Sequence, residues 1–185
     1  MLTGLPVHSV GPVAYTHLDD ALPSLPRALA GAGYRGVSMH AYHRHFWNRA
    51  DAHAAYGMQE LLFRDQWRPG RELAWGLADE AFLAQAAERL AAATEPTLAL
   101  VITLSTHHPF GVQPEELRGW RSGYASGTLI DRYLRLVRYT DRALGRFVRQ
   151  LEEAGLADDV LLVIYGDHDA GLDPESRQLV RDKLG

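Results

Sequence analysis

The sequence predicts an α/β fold in which helices pack on a mostly parallel sheet. Short apolar runs alternate with amphipathic stretches along the 185 residues, which is typical of this class. Residues 97–104 are almost continuously apolar, as expected for a strand buried on both faces of a parallel sheet. Residues 129–154 carry one apolar stripe at helical spacing. We therefore expect the order loop–α–β–α–α–β–α–β–α.

The first half of the chain predicts two helices and one strand. In order, the expected elements are a loop to about residue 20, a helix over 22–33, a strand over 36–39, a helix over 46–56 and an irregular stretch over 59–76. Leu25 and Leu29 have helical spacing, and Gly33 is a suitable stop for that helix. The short strand leads directly into His40.

The second half predicts three helices and two strands. The expected elements are a helix over 79–93, a strand over 97–104, a polar connection over 111–127, a helix over 129–154, a strand over 160–165 and a helix over 174–184. Asp79 suits the positive first turn of its helix. Thr128 and Asp131 resemble a capping box, and Gly155 is a natural C-terminal stop for the longest helix.

Composition excludes several functional classes. The chain has 19 Lys and Arg against 23 Asp and Glu, so its charge gives no reason to expect nucleic acid as a partner. Because it has no Cys, disulfides, thiolate zinc sites and Cys nucleophiles are excluded. No apolar run approaches the ~18 residues of a membrane span. The first residues do not have the pattern of a signal peptide.

Each of the three predicted strands ends in a loop that contains histidine. His40 follows the first strand, residues 106–108 (Thr-His-His) follow the second, and residues 167–169 (Asp-His-Asp) follow the third. In open parallel sheets, ligands bind at the carboxyl ends of the strands. One such histidine is usually a hydrogen-bonded loop residue, but three on one edge indicate a site.

Gly166-Asp167-His168 is the most specific of these motifs. At a strand-to-loop turn, an adjacent carboxylate and imidazole can converge on one cation, and this donor pair suits manganese, zinc or iron. Gly166 would allow the tight turn. The alternative is that Asp167 caps the next turn and His168 is a surface residue. Asp169 is either a further ligand or a solvated acid.

A second cluster, residues 40–49, holds three His, two Arg and three aromatic residues. The planar guanidinium of Arg49 could bind a phosphate. Trp47 could pack against a polyol or a lipid glycerol, or it could anchor the following helix in the core. A zinc site made of the three histidines is disfavoured, because their spacing fits no regular element and no carboxylate stands nearby.

Four stretches taken in order resemble the extracytoplasmic domain of the lipoteichoic acid synthase family. This family of phosphoglycerol transferases belongs to the sulfatase-like, alkaline-phosphatase-like superfamily. The matching stretches are 33–49 with Phe-Trp-Asn-Arg at its end, 76–82, 103–110, and 139–144 followed by Ile-Tyr-Gly-Asp-His at 164–168. The resemblance implies a partial alkaline-phosphatase-like α/β/α sandwich, with residues 1–185 as the central part of a catalytic domain.

Family enzymes move a phosphoglycerol group from a lipid donor to a polymer or glycan. The resemblance therefore implies a transferase with a divalent metal, Mn²⁺ first and Mg²⁺ or Zn²⁺ as alternatives. Its donor would be an anionic phospholipid head group and its acceptor a glycan or polyglycerolphosphate. A phosphoethanolamine transferase, sulfatase or phosphodiesterase of the same superfamily stays open, as does a truncated, non-catalytic fragment.

The resemblance also assigns residues. Asp167 and His168 match two adjacent metal ligands, and four residues match positions that line the head-group pocket: His40, Trp47, Arg49 and His107. His108 stands where the family usually has an aromatic residue. The pocket role therefore goes to His107, by its spacing to the following Pro-Phe.

The family's Thr nucleophile and a further Glu ligand precede a Gly-Leu-Pro turn, which residues 4–6 match. Thr3 is too close to this turn to be the nucleophile, so that Thr is expected upstream of Met1, and no catalytic residue is assigned within the chain. The resemblance implies a full-length protein in the cell membrane with an extracytoplasmic catalytic domain. Its membrane segments would lie outside these residues, and the 185-residue piece itself is expected to be soluble and inactive.

Overall fold

A computed structural model describes residues 2–4, 11–20 and 22–184 of the chain. The helices are α1 Val13–Thr16, α2 Leu25–Ala30, α3 Arg49–Ala55, α4 Asp79–Ala91, α5 Leu129–Glu153 and α6 Pro174–Leu184. The strands are β1 Arg35–His40, β2 Glu60–Leu62, β3 Glu72–Leu73, β4 Gly76–Leu77 and β5 Thr97–Ile102. Single 3₁₀ turns occupy 46–48, 64–66 and 115–117. Leu5 and Pro6 of the expected Gly-Leu-Pro turn lie outside the described residues.

Contacts divide the chain into two compact units. The first unit is Met1–Pro69 with Gln85–Ile102, and the second is Gly70–Ala84 with Thr103–Gly185. The first unit contains a three-stranded parallel sheet of order β2-β1-β5. The second contains the antiparallel pair β3–β4 and the helices α5 and α6. The α/β class with a parallel sheet is thus confirmed.

The centre of the sheet is the strand predicted over 36–39. In β1, every residue from Gly36 to His40 is buried. The neighbouring β5 matches the second predicted strand, but its residues are half-buried throughout. The expectation that it is buried on both faces is therefore wrong. Its position explains the difference, because β5 is an edge strand in the described sheet.

The third strand of the sheet is β2, which lies in the stretch expected to be irregular. It pairs with residues 37–39 of β1 over three positions. The hairpin β3–β4 lies in the same stretch and has strands of two residues each. Strands this short show no alternation that a sequence pattern could detect.

The prediction of a strand over 160–165 is wrong. These residues have no strand structure, and none of the described strands pairs with them. Their side chains are exposed: 90% for Leu161, 66% for Val163 and 62% for Ile164. An apolar run forms a strand only where a neighbouring backbone satisfies its N–H and C=O groups, and the described residues supply none.

The helices follow the predicted pattern, but the helices expected over 22–33 and 46–56 are shorter than predicted. Ser24 caps α2, because its hydroxyl oxygen accepts from the N–H of Arg27 at 3.3 Å, so this helix begins at residue 25 rather than 22. The single-turn helix α1 lies in the segment expected to be a loop. The helices expected over 79–93, 129–154 and 174–184 are confirmed as α4, α5 and α6. Within the described residues, no helix is long and apolar enough to cross a membrane.

The start of α5 is capped as the sequence indicates, with one change of partner. The hydroxyl oxygen of Thr128 accepts from the N–H of Asp131 at 3.3 Å. The Asp131 carboxylate accepts from the N–H of Gly127, one residue before the cap, at 3.0 Å rather than from the N–H of the cap residue itself. It also accepts from the hydroxyl of Ser122 at 2.6 Å. The cap therefore fixes the preceding loop as well as the helix.

A buried apolar cluster holds the second unit together. Its members come from the β3–β4 region, the loops after residue 103 and α5, and they are Leu73, Ala78, Phe110, Leu117, Leu136 and Tyr139. Each is 3% exposed or less. The apolar stripe that predicted the helix is only partly the packing face. Its members Ile130, Phe147 and Leu151 are buried, but in the middle of the helix the structure buries Leu136 and Tyr139 and leaves the predicted Val137 36% exposed.

The first unit contains a buried polar pair between β1 and α3. Ser38 on β1 and Nδ1 of His53 on α3 share a hydrogen bond of 2.7 Å. Burial, and after it the positive charge of Arg49, lowers the pKa of His53 to about 4. His53 is therefore neutral in the folded protein at pH values where an unfolded chain would protonate it, since a free His has a pKa of about 6.5.

This difference predicts a pH-dependent stability. The contribution of His53 is fully present above about pH 6.5 and is lost as the pH falls to about 4, because the unfolded state binds the proton first. We expect the free energy of unfolding to fall by up to about 3 kcal/mol across this range. Urea denaturation at each pH measures this change. His53→Gln should flatten this part of the profile, and the exposed His45→Gln should not. Equal profiles for all three proteins would contradict the assignment.

Candidate functional site

His40 ends the central strand with its ring fully buried. Its Nδ1–H donates to the carbonyl of Ile102 at 3.1 Å, and its own carbonyl accepts from Nε1–H of Trp67 at 3.0 Å. A carbonyl can only accept, so the proton of the neutral ring is on Nδ1 and the lone pair is on Nε2. The fold thus determines both the place and the tautomer of His40.

The backbone after His45 departs from a regular helix at Trp47 and Asn48. Both have a left-handed conformation, with φ of 55° and 49°, which costs energy for residues other than glycine. Nδ2–H of Asn48 donates to the carbonyl of Ala14 at 2.9 Å. Trp47 is 52% exposed, and its ring centroid lies 6.3 Å from that of Tyr15. The alternative in which Trp47 anchors the core is therefore wrong.

Phe46 connects the predicted residues of the first unit. Its ring stacks on His40 at a centroid distance of 6.5 Å and an interplanar angle of 23°. The guanidinium carbon of Arg49 lies 5.8 Å from the Phe46 ring centroid. The structure thus places an imidazole and a guanidinium against one aromatic side chain, next in sequence to the exposed indole of Trp47.

His107 lies in the second unit, between two other rings. Its ring centroid is 4.5 Å from that of Trp75 and 6.2 Å from that of His168. Its Nδ1–H donates to the carbonyl of His108 at 2.7 Å. His108 itself packs against Phe110 at 5.3 Å. Of the two adjacent histidines, His107 is the one beside the Asp167-His168 motif.

Asp167 and His168 form an exposed pair. Oδ1 of Asp167 lies 3.7 Å from Nε2 of His168, and Nδ1–H of His168 donates to the carbonyl of Asp169 at 2.6 Å. Nε2 and the carboxylate therefore face one another, as two ligands of one cation would. Catalytic metals usually have three protein ligands, and the described residues contain no group of three His, Asp or Glu placed to hold one. They can supply part of a metal site.

Asp79 supports the loop that carries His107. Its side chain is fully buried. Oδ1 accepts from the N–H groups of Leu104 and Ser105 at 2.9 and 3.1 Å, and Oδ2 accepts from the hydroxyl of Thr140 at 2.6 Å. The N–H of His107 then donates to the carbonyl of Leu104 at 3.0 Å. One carboxylate thus holds the turn on which the imidazole sits.

Sequence reasoning missed Trp75 and treated Asp79 only as a favourable first-turn residue. Trp75 lies in the turn between β3 and β4, and these strands are too short to predict. No local signal indicated the role of Asp79, because the donors to its carboxylate are two backbone N–H groups and the hydroxyl of Thr140, which lie 25 to 61 positions away.

Comparison with known proteins identifies the family. The sulfatase family model matches residues 1–183. The chain belongs to the sulfatase family. The lipoteichoic acid synthase-like protein YvgJ of Bacillus subtilis is 30% identical over 177 residues, covering 95% of this chain and 28% of that protein. The chain thus spans little more than a quarter of this relative.

Solved structures of the family have the same fold. The lipoteichoic acid synthase LtaP from Listeria monocytogenes has a TM-score of 0.82 at 24% identity, covering 96% of this chain and 45% of that one. The phosphoglycerol transferase GacH from Streptococcus pyogenes, in complex with sn-glycerol-1-phosphate, has a TM-score of 0.67 at 21% identity, covering 95% and 48%. A protein in the alkaline phosphatase superfamily from Vibrio parahaemolyticus has a TM-score of 0.68 at 25% identity, covering 82% of this chain and 37% of that one. The expected alkaline-phosphatase-like fold is therefore confirmed.

The hydrogen bonds of Asp79 predict unequal effects for two substitutions. Asp79→Ala removes the acceptor of two buried N–H groups, so we expect a loss of about 3–5 kcal/mol in the free energy of unfolding. Asp79→Asn keeps Oδ1 for those groups, and its amide can donate to Thr140. We expect it to cost about 1–2 kcal/mol.

Urea denaturation measures both effects. Glu80→Gln is the control, because Glu80 is the next residue and forms an exposed ion pair with Arg146. It should cost less than about 1 kcal/mol. If the Asn variant were as unstable as the Ala variant, the carboxylate would not act through the hydrogen bonds described.

Proposed function

We propose that this chain is part of a metal-dependent transferase that moves a phosphoglycerol group from a lipid to a polymer or glycan. The main support is the similarity of 95% of the chain to a protein named lipoteichoic acid synthase-like. The similarity of fold to a phosphoglycerol transferase that binds sn-glycerol-1-phosphate agrees with it. The proposed donor is an anionic phospholipid head group, and the proposed acceptor is polyglycerolphosphate or a glycan. The whole protein would then reside in the cell membrane with its catalytic domain outside the cytoplasm.

The first unit offers groups that suit a phosphoglycerol ligand. The fork of Arg49 can donate two parallel hydrogen bonds to phosphoryl oxygens. The exposed face of Trp47 can pack against the glycerol carbons, and its left-handed backbone is the kind of strain that clusters at ligand sites. The ring of His40 is fully buried at the end of the strand and stacks on Phe46, which Arg49 also contacts. In this proposal Arg49 and Trp47 bind and orient the head group, and His40 lines its pocket.

In the second unit, the proposed role of His107 depends on its proton. Nδ1–H is engaged by the carbonyl of His108, so neutral His107 presents only a lone pair at Nε2. It can donate to a phosphoryl oxygen only when it is protonated. An imidazolium at this position would stabilise negative charge that develops on the transferring group.

Asp167 and His168 are the proposed metal ligands. A carboxylate and an imidazole suit Mn²⁺ or Zn²⁺, and Mg²⁺ is a further alternative. When bound, the metal would neutralise charge on the phosphoryl oxygens and on the attacking oxygen. The chain's own residues would hold it through Oδ1 of Asp167 and Nε2 of His168, the two atoms that face each other.

The test uses the polypeptide that carries the whole family domain. We expect Asp167→Ala to lower metal occupancy and to reduce turnover of a fluorescent phosphatidylglycerol analogue by at least about 100-fold, as for loss of a metal-site residue. Metal content is measured by elemental analysis on the same samples. The matched control is Asp158→Ala, which removes an exposed carboxylate from the preceding loop. Unchanged occupancy and rate in Asp167→Ala would remove this residue from the proposed site.

Substrate choice is tested with the same protein. Phosphatidylglycerol and phosphatidylethanolamine analogues are compared at equal concentration, together with a soluble sulfate ester. Preference for phosphatidylglycerol supports the proposal. Preference for either of the other two would assign the protein to a different activity of the same superfamily.

A further inference from the structure

The second unit contains a cavity of about 250 Å³ that none of the candidate site residues lines. We call it the arginine cavity, and the lining residues with polar side chains are Arg71, Glu80, Glu116, Tyr139, Arg142 and Arg146. It is much larger than the ~30 Å³ that one water molecule occupies in the liquid. Three arginines against two glutamates leave one positive charge.

The two glutamates are occupied by two of the arginines. Nη1 of Arg71 donates to both carboxylate oxygens of Glu116, at 2.9 and 3.0 Å. Arg146 forms an ion pair with Glu80. Arg142 donates no hydrogen bond to any residue that the structure describes. Arg142 acts on the Glu116 carboxylate through its charge alone, so its five N–H donors are available to a ligand.

Tyr139 provides a second, independent observation. It is 3% exposed, and within the described part of the chain its buried hydroxyl has no hydrogen-bond partner. Burial is also the main reason that the pKa of Tyr139 is raised to about 12, so the group remains a neutral donor. A buried hydroxyl without a partner is costly and calls for an explanation. A polar ligand in the cavity that Tyr139 lines would satisfy it.

We propose that the arginine cavity binds one phosphodiester group, held by the guanidinium of Arg142 and the hydroxyl of Tyr139. A phosphodiester carries a single negative charge, which matches the single positive charge of the lining. Its two unesterified oxygens can accept from the two donors at once. The choice of a glycerol phosphate ester as the probe rests on the proposed function, whereas the site itself rests on the cavity.

The test measures binding and requires no turnover, so it can fail or succeed independently of the proposed function. Glycerophosphoglycerol is titrated into the 185-residue protein by isothermal titration calorimetry at constant ionic strength. Acetate and chloride are titrated separately for comparison. We expect saturable binding of the phosphodiester, and at least about tenfold weaker binding in Arg142→Gln, the effect of one charge-assisted hydrogen bond. Arg138→Gln is the control, because Arg138 is an exposed arginine on the same helix.

Tyr139→Phe tests the hydroxyl separately. Without ligand, this variant should unfold at the same temperature as the parent or higher, because an unpartnered buried hydroxyl is removed. With glycerophosphoglycerol, its gain in unfolding temperature should be smaller than that of the parent. This variant decides the question if Arg142→Gln does not fold. Parent-like binding by both variants, or acetate binding as tight as that of the diester, would overturn the proposal.

Competition identifies the source of the group. Displacement of the probe by soluble polyglycerolphosphate would assign the cavity to the acceptor polymer. Displacement by phosphatidylglycerol vesicles, but not by phosphatidylcholine vesicles, would assign it to the lipid. Displacement by neither, with the diester still bound, would assign the cavity to a small soluble phosphodiester.

Discussion

The second unit depends on one buried carboxylate. Placing a charged group in the interior is costly unless hydrogen bonds replace its water, and Asp79 has three such bonds to donors from two distant segments. It stands where the β3–β4 hairpin passes into α4, so it ties this junction to the loop after β5 and to the middle of α5. The apolar cluster packs the same segments. The packing is nondirectional, whereas the carboxylate determines which backbone groups meet, and with them the position of His107.

The sequence predicted the parts of the fold whose pattern is long. Helix α5 has an apolar stripe and a sequence signal at each end. The structure reproduces both end signals, at Thr128 and at Gly155, which has a φ of 76°. Strand β1 was found because its apolar residues stop at a polar one. In contrast, β2 has three residues, and pairing with β1 stabilises it more than any local preference does. Residues 160–165 illustrate the reverse case, since their preference for a strand is strong and no described strand pairs with them.

The candidate site was predictable as a set of residue types but not as a geometry. The order of motifs indicated the histidines, Arg49, Trp47 and Asp167, because these residues follow predicted strands or lie within a specific motif. The left-handed turn at Trp47 and Asn48 was not predictable, since no glycine marks it and the hydrogen bond from Asn48 is to a carbonyl 34 residues earlier. The ring contact between Trp75 and His107 likewise requires the hairpin, which no pattern indicated.

Three of the histidines named as site candidates have the same hydrogen-bonding pattern, and this pattern has a chemical consequence. In His40, His107 and His168, a backbone carbonyl accepts from Nδ1–H, so the neutral ring keeps its lone pair at Nε2. A neutral ring there is a Lewis base that attracts a cation, and a protonated ring is a donor that attracts an oxyanion. The backbone thus leaves each ring one nitrogen at which a single proton decides between these two kinds of ligand.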